Sequence, residues 1–308
     1  MVSIIDGNHL ACRCFFGVDN SLSTSTGQQT NLIYGFINTV RMFVNRYGIE
    51  NHLFVVWDSE GKKSRHELYP EYKAGRNKLP QEFFDQMKIT QEFIEVLNIP
   101  QFKVQSTEAD DIIGTLTYKS RKKGQKVLII SSDHDFEQLI TQHVKVLSPS
   151  LSKSKEYIKD YDYVLAEYDG IEPKQLTELL ALTGDASDNI FGLEKVGPKT
   201  AAKLLKANGS LDNIISNVDV LKIFNKSGEI QDAKDDMKEK VRKNIDLLRL
   251  NKHLVTINCY IEGVEPKFSR NDKIDLNKLK SMFEQFEFKS FLREIEQWKM
   301  VFDGSCES

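Results

Sequence analysis

Nowhere in the 308 residues is there a run of about 18 apolar side chains, so no membrane-spanning helix is expected. Cysteine is scarce: Cys12, Cys14, Cys259 and Cys306 form no CxxC pair, which excludes a paired-cysteine zinc site and points to reduced, partly buried thiols of a cytoplasmic protein. The N-terminus, MVSIIDGNHLACRCFF, lacks the basic region and small-residue cleavage site of a secretory leader. There is no G-x-S-x-G, no P-loop, no internal repeat and no low-complexity tract, and the six histidines are scattered. An excess of positive charge is missing too. The net charge of −3 argues at first against a nucleic-acid partner, but discounting nine carboxylates as metal ligands would leave +6.

What is present, over the first two-thirds, is an alternation of short apolar runs with longer helical patterns. It predicts βαβ units, hence an α/β fold with a mostly parallel central sheet. VSIID (2–6), HLFVVWD (52–58) and KVLIISSD (126–133) read as buried strands. Residues 31–48, ending at Gly48, and 80–98, opened by Pro80 and followed by Pro100, read as helices. From about residue 170 the pattern is predominantly helical. Residues 275–298 read as an amphipathic helix or helix pair with Asp275 as cap, and the lysine-rich 232–244 as a solvated helix face.

Each clear strand ends in an aspartate: Asp6, Asp58 and Asp133, with Asp135 two residues on. In a parallel sheet these ends share one edge, where ligands bind. STEADDIIG (106–114) adds Glu108, Asp110 and Asp111, and LTGDASDN (182–189) adds Asp185 and Asp188. Taken singly, such acids are helix caps and turn residues, with Ser106 or Thr107 as the expected cap at 106–114. Together they are harder to read that way, since two carboxylates about 5 Å apart repel by roughly 1 kcal/mol in water and about 3 kcal/mol at an effective dielectric near 20. An all-oxygen donor set suits Mg²⁺ or Mn²⁺, and two such ions can clamp a phosphodiester with water as nucleophile.

Two further segments carry positive charge. In GLEKVGPKTAAKLL (192–205), Gly197-Pro198 precedes a helical pattern whose N-terminus, with Lys199, would hold a phosphate. It resembles a helix-hairpin-helix, which grips a duplex backbone without reading sequence. In SRHELYPEYKAGR (64–76), Arg65, Lys73 and Arg76 alternate with Tyr69 and Tyr72, a mix suited to a single strand.

IIDGNHLACR, VVWDSEGKKSRHELYPEYKAGR, VQSTEADDIIGTL, IISSDHDFEQLI and LTGDASDNIFGLEKVGPKTA, in this order, resemble the 5′-nuclease superfamily, closest to phage 5′-exonucleases and the 5′-nuclease domain of bacterial DNA polymerase I. They cover residues 1–205, and FEQFEFKSFL extends the likeness to about 292. The resemblance implies a structure-specific 5′→3′ exonuclease and 5′-flap endonuclease, of use in DNA replication and repair. Two divalent ions, Mg²⁺ or Mn²⁺, would sit one among Asp6, Asp58, Glu108, Asp110 and Asp111, the other among Asp133, Asp135, Asp185 and Asp188. Lys73 and Arg76 would touch the scissile phosphate from a helical arch. DNA contacts would come from Arg13, Arg65, Tyr69, Tyr72, Lys195, Gly197, Lys199 and Thr200, and K⁺ would sit on carbonyls near residues 191–196. Relatives usually carry Gly at Lys195 and often Pro at Phe191.

The expected organisation is a PIN-like α/β nuclease core at 1–175 with the arch at about 62–100, then a helical DNA-binding subdomain at 176–308. The hairpin would lie at about 185–206, and the C-terminal helices would pack back on the core. With no room for a polymerase domain in 308 residues, a free-standing, monomeric nuclease is expected. Its partners would be DNA with 5′ ends, flaps or branches, with RNA–DNA hybrids as a further candidate. Rival readings are a PIN-like ribonuclease, which would lack VGPK and usually the Asp185/Asp188 segment, and a branched-DNA binder without catalysis, in which the acids would be eroded.

Overall fold

β1 (Val2–Asp6) is buried along its whole length, with Ile4 in one apolar layer and Ile5 in the other, as a strand covered on both faces requires. In this computed structural model, which describes residues 1–47, 52–61, 63–149, 157–268 and 273–303, the chain continues through α1 (Gly7–Gly17), α2 (Asn31–Tyr47), β2 (Leu53–Val56), α3 (Ser64–Leu68), α4 (Gln81–Val96) and β3 (Gln101–Phe102). Next come α5 (Ala109–Lys122), β4 (Val127–Ile130), a 3₁₀ turn at His134–Leu139, β5 (Val144–Ser148) and β6 (Tyr157–Lys159). Gly48, Lys62 at the expected start of the arch, and Cys306 lie outside the described residues.

The six strands run in the order β3-β2-β1-β4-β5-β6, parallel except for β6, which is antiparallel to β5. Because β1 pairs with both β2 and β4, successive crossovers leave it in opposite directions, and a crevice opens at the carboxyl ends. Ile4, Phe54 and Ile129 pack with α5 and with helices beyond residue 170, while Ile5, Val55 and Ile130 pack with α1, α2, α4 and the C-terminal helices.

The helical part comprises α6 (Tyr161–Glu167), α7 (Leu176–Thr183), β7 (Gly184–Asp185), β8 (Ile190–Phe191), α8 (Pro198–Asn208) and α9 (Leu211–Ser216). It continues with β9 (Lys222–Phe224), β10 (Ile230–Asp232), α10 (Asp235–Lys243) and α11 (Ile245–Val255). The β9–β10 hairpin had no counterpart in the sequence reading. The 275–298 segment becomes three short helices, α12 (Leu276–Gln285), α13 (Lys289–Arg293) and α14 (Ile295–Asp303), because Glu287 takes φ 57° and breaks the first. Asp275 does cap α12, accepting from Lys278 N at 2.9 Å. Phe283, Phe291, Trp298 and Phe302 bury this group against α2 and α4.

One expectation is corrected here. Helix 81–96 is not part of an arch: Phe83, Gln86, Thr90, Phe93 and Ile94 form a buried stripe, and Gln86 accepts from Leu32 N at 2.9 Å and donates to Asn31 at 3.1 Å. A helix with such a stripe must cover it, and α4 does so on α2. Only residues 64–80 remain over the strand ends.

A buried ion pair ties the antiparallel edge to the 3₁₀ turn. Lys159 Nζ lies 2.5 Å from Glu137, both side chains fully buried, and Tyr168 Oη donates to the same carboxylate at 2.7 Å. Lys159→Met leaves the buried Glu137 with Tyr168 and the His134 imidazole, 2.8 Å from Oε1, but without its ammonium partner, and is expected to cost about 3–5 kcal/mol in urea unfolding above the His134 pKa. The double variant Lys159→Met/Glu137→Leu should recover most of that loss; a single variant costing under about 1 kcal/mol would reduce the pair to the worth of a surface contact.

Candidate metal centre and nucleic-acid interface

At the edge, capping and clustering turn out to be the same arrangement. Asp6 ends β1 and caps α1, Oδ1 accepting from His9 N at 3.0 Å while Oδ2 accepts from Ser131 Oγ at 3.0 Å. Asp133 caps the 3₁₀ turn through Asp135 N at 3.0 Å, and Asp185 accepts from Ser187 N at 2.9 Å. Neither Ser106 nor Thr107 caps α5. Ala109 N instead donates 3.1 Å to Asp58 Oδ1, a carboxylate from the end of β2, and Glu108 makes no cap of its own. Asn8 fixes Asp58 in turn, accepting from its backbone N–H at 2.9 Å.

Four cations from residues 63–76 lie against these acids, Arg65 Nη1 among them at 3.6 Å from Glu108 Oε1. Lys73 Nζ is 2.8 Å from Glu108, 3.7 Å from Asp188 and 3.9 Å from Asp110; Arg76 Nη2 is 2.7 Å from Asp188; Lys63 pairs with Asp58. Lys73 holds a left-handed backbone, φ 58°, with its N–H on the Asp188 carbonyl at 3.0 Å. A lysine keeps that conformation only where its surroundings enforce it. Lys63 escaped the sequence reading; only its nearness to Asp58 could have signalled it.

Acids remain underneutralised even so. Burial, and then the neighbouring Asp133, push the Asp6 carboxyl up to about 7. Burial with Asp133, Asp188 and Asp185 raises Asp135 to about 8, and Asp110 is raised well above the carboxylate range, chiefly by desolvation. Glu108 is held low, because Lys73 and Arg65 outweigh its desolvation. Its Oε1 is nevertheless buried without a hydrogen bond. Asp135, Asp185 and Asp188 each offer an oxygen within 4.8 Å of the others. An all-oxygen set with an orphaned acceptor and mutually raised carboxyls fits hard divalent cations.

Eight of the nine predicted acids thus meet at one edge, and Asp111 does not join them. Its carboxylate is buried and accepts both arms of the Arg65 guanidinium, at 2.7 and 2.9 Å. Arg65 and Tyr72, expected to face a single strand, are likewise buried, 6% and 3% exposed, because the segment's apolar side packs on α11. Tyr69 Oη donates to the Asn189 carbonyl at 3.2 Å, and Arg13 donates to Ser132 Oγ at 2.9 Å. Arg76 is exposed above the edge.

The hairpin between α7 and α8 is held by close backbone contact. A Cβ on Gly184, φ 77°, would meet Gly192 N at 2.4 Å, and one on Gly192 would meet Thr183 C at 2.1 Å. Lys195 takes φ 62°, the conformation that the glycine of relatives permits, with its side chain in solvent. Gly197 and Lys199 are exposed and Thr200 is half-buried at the start of α8. Of the carbonyls expected to hold K⁺, Phe191 O accepts from Asn251 at 2.8 Å and Leu193 O from Val196 at 3.1 Å.

Raised carboxyls fix the sign of a pH effect. Asp6 and Asp135 bind protons in the folded state up to about 7 and about 8, whereas unfolded they release them near 4. Their contribution to stability is full below pH 4 and is lost as pH rises through 7 and 8. In EDTA, Tm should therefore fall by at least about 4 °C between pH 5.5 and 8.5, and added Mg²⁺ should raise Tm more at the higher pH. A flat profile in EDTA, or a larger Mg²⁺ effect at pH 5.5, would contradict these assignments.

Comparison with known proteins supplies the family. The family model described as 5′-3′ exonuclease, N-terminal resolvase-like domain, matches residues 1–169, and that described as 5′-3′ exonuclease, C-terminal SAM fold, matches 171–279. The thermostable DNA polymerase I of Thermus thermophilus is 33% identical over 294 residues, 96% of this chain and 33% of the polymerase, so the chain spans about a third of that relative's length. A 5′-3′ exonuclease of Aquifex aeolicus is 34% identical across 96% of this chain and 94% of its own. Among solved structures, the T5 D15 protein co-crystallised with metal ions aligns at TM-score 0.67 and 20% identity, over 96% of this chain and 98% of that one. The catalytic core of Rad2 in complex with DNA substrate aligns at 0.62 and 16%, over 99% and 92%. At those identities the two structures show a shared fold. With both domain models and a relative 34% identical over 94% of its own length in agreement, this chain belongs to the 5′-3′ exonuclease family.

Proposed function

We propose that the protein is a structure-specific 5′ nuclease that hydrolyses phosphodiester bonds at 5′ ends and 5′ flaps of DNA. The observation that carries this reading is the acidic edge with Lys73 and Arg76 set over it, beside a hairpin that presents Lys199. Asp135, Asp185 and Asp188 would hold one Mg²⁺ or Mn²⁺, and Asp6, Glu108 and Asp110 another, with Asp58 and Asp133, just past the ends of β2 and β4, to orient them. Bound there, such ions polarise phosphate oxygens and make water a stronger nucleophile. The chain's own residues do the rest.

Lys73 lies low among the carboxylates, where its ammonium would neutralise a phosphate drawn onto the edge. Arg76 reaches the same place from the exposed side and can offer two N–H groups to a non-bridging oxygen. Exposed Lys199, at the N-terminus of an 11-residue helix, suits duplex phosphate a short way along the strand. K⁺ on the hairpin carbonyls, RNA–DNA hybrid as an alternative substrate, a monomeric state and a cytoplasmic location belong to the same reading. Among the described residues, no helix is long and apolar enough to cross a membrane.

The test is single-turnover cleavage of labelled 5′-flap DNA beside single-stranded RNA, with Mg²⁺ or EDTA, and flap binding in Ca²⁺. Flap cleavage that needs Mg²⁺ is expected; cleavage in EDTA, or of the RNA alone, would overturn the reading. Arg76→Ala should slow the chemical step by on the order of 10²–10³, since it removes a charge aimed at the transition state. Lys199→Ala should chiefly weaken binding and flatten its salt dependence by about one counterion. The reverse pattern would exchange their roles.

A further inference from the structure

Asp111 and Arg65 are too well built for residues that merely fill space between a metal edge and a DNA grip. Arg65 uses its whole guanidinium: Nε donates to Leu254 O at 2.8 Å, Nη1 and Nη2 fork onto Asp111 at 2.9 and 2.7 Å, and Nη2 also reaches Thr256 O at 2.7 Å. Asp111 accepts a third bond, from Asn258 N at 2.9 Å. Three distant stretches therefore meet at one buried pair. They are α3 at the base of the arch, the first turn of α5 that carries Glu108 and Asp110, and the chain leaving α11.

That exit segment is fastened along its length. Ile257 N donates to Gln138 at 2.9 Å, Gln138 returns a bond to Val255 O at 3.0 Å, and Ile261 N donates to Thr115 Oγ1 at 3.0 Å. Gly114 allows the approach, since a Cβ there would lie 2.4 Å from the Ile257 side chain. At its other face α11 holds the hairpin, Asn251 donating to Ala181 O at 3.1 Å and Phe191 O at 2.8 Å. The duplex grip is thus coupled to the acidic edge through one helix, and that helix ends on the Arg65–Asp111 fork.

The geometry points to Arg65 and Asp111 as positioning residues that set which phosphodiester is cut, by fixing the span between hairpin and edge. This rests on the nuclease reading above and departs from the expectation that Asp111 holds metal. A buried, bidentate pair of this kind resists both rotation and sliding, which a lysine at 65 could not do with a single ammonium. Substrate held at the hairpin then presents one bond, not several, to Lys73 and the acids.

The experiment has two arms on the full chain. Mn²⁺ titration by electron paramagnetic resonance compares wild type, Asp111→Asn and Asp110→Asn, and labelled flap DNA is cut and its products sized to single nucleotides. Asp111→Asn should bind as many Mn²⁺ ions as wild type, while Asp110→Asn loses one. The products of Asp111→Asn and Arg65→Lys should spread to neighbouring bonds, and the wild-type bond should lose on the order of tenfold in rate, since a 1 Å misplacement costs up to about 10²-fold. Should Asp111→Asn fail to fold, Arg65→Met/Asp111→Leu, which removes both charges together, carries the product analysis. Loss of an Mn²⁺ ion from Asp111→Asn, or a folded variant that cuts solely at the wild-type bond, would overturn the inference. A wild type that cuts no flap overturns the proposed function instead, and the Mn²⁺ arm still decides whether Asp111 is a ligand.

Discussion

Repulsion among carboxylates is the constraint on which this architecture turns. Eight of them converge where the strands β1, β2 and β4 end, and the protein holds half of them there by giving them a second task. Asp6, Asp58, Asp133 and Asp185 cap helices or turns, each anchored by at least one backbone N–H. A cap bond stabilises by about 1 kcal/mol, comparable with the repulsion of one exposed pair. Lys63, Lys73 and Arg76 offset more of it, yet burial and the neighbouring carboxylates still raise the Asp6, Asp110 and Asp135 carboxyls. The edge is therefore assembled by the fold but electrostatically unfinished, which is the condition that gives a divalent cation its affinity.

The same contacts explain how residues 64–80 are placed. Residues 64–80 are drawn down onto the acids by Lys73 and Arg76, and their inner face, with Arg65 and Tyr72, is spent on packing against α11. The next helix, α4, belongs to the core. Basic and aromatic residues alternating in sequence thus divide into two sets, one packed on α11, one set over the edge, and it is the backbone turn at Lys73, φ 58°, that separates them.

Much of this was legible in the sequence because a parallel sheet leaves little freedom. Once VSIID, HLFVVWD and KVLIISSD are strands, their terminal aspartates must share an edge, and residues 2–6 form a strand as read. Asp111 lies apart from the other acids because adjacent residues on a helix point about 100° apart, and nothing local says which of Asp110 and Asp111 turns toward the crevice. What decides it is Arg65, 46 positions earlier, and Asn258, 147 later. The cap of α5 was unreadable for a similar reason, since it comes from Asp58, just past the end of β2. Residues 80–98 read as a helix and form one at Gln81–Val96; its apolar stripe states that it packs, not on what.

Anomalous diffraction from crystals soaked in Mn²⁺ tests the central claim most directly, because it locates the ions without relying on activity. The account predicts two peaks about 4 Å apart on this edge, one on Asp135, Asp185 and Asp188, the other on Asp6, Glu108 and Asp110, with the Arg65–Asp111 fork intact. Peaks coordinated by Asp111, or an edge that takes up no Mn²⁺ while Lys73 stays among the acids, would contradict it.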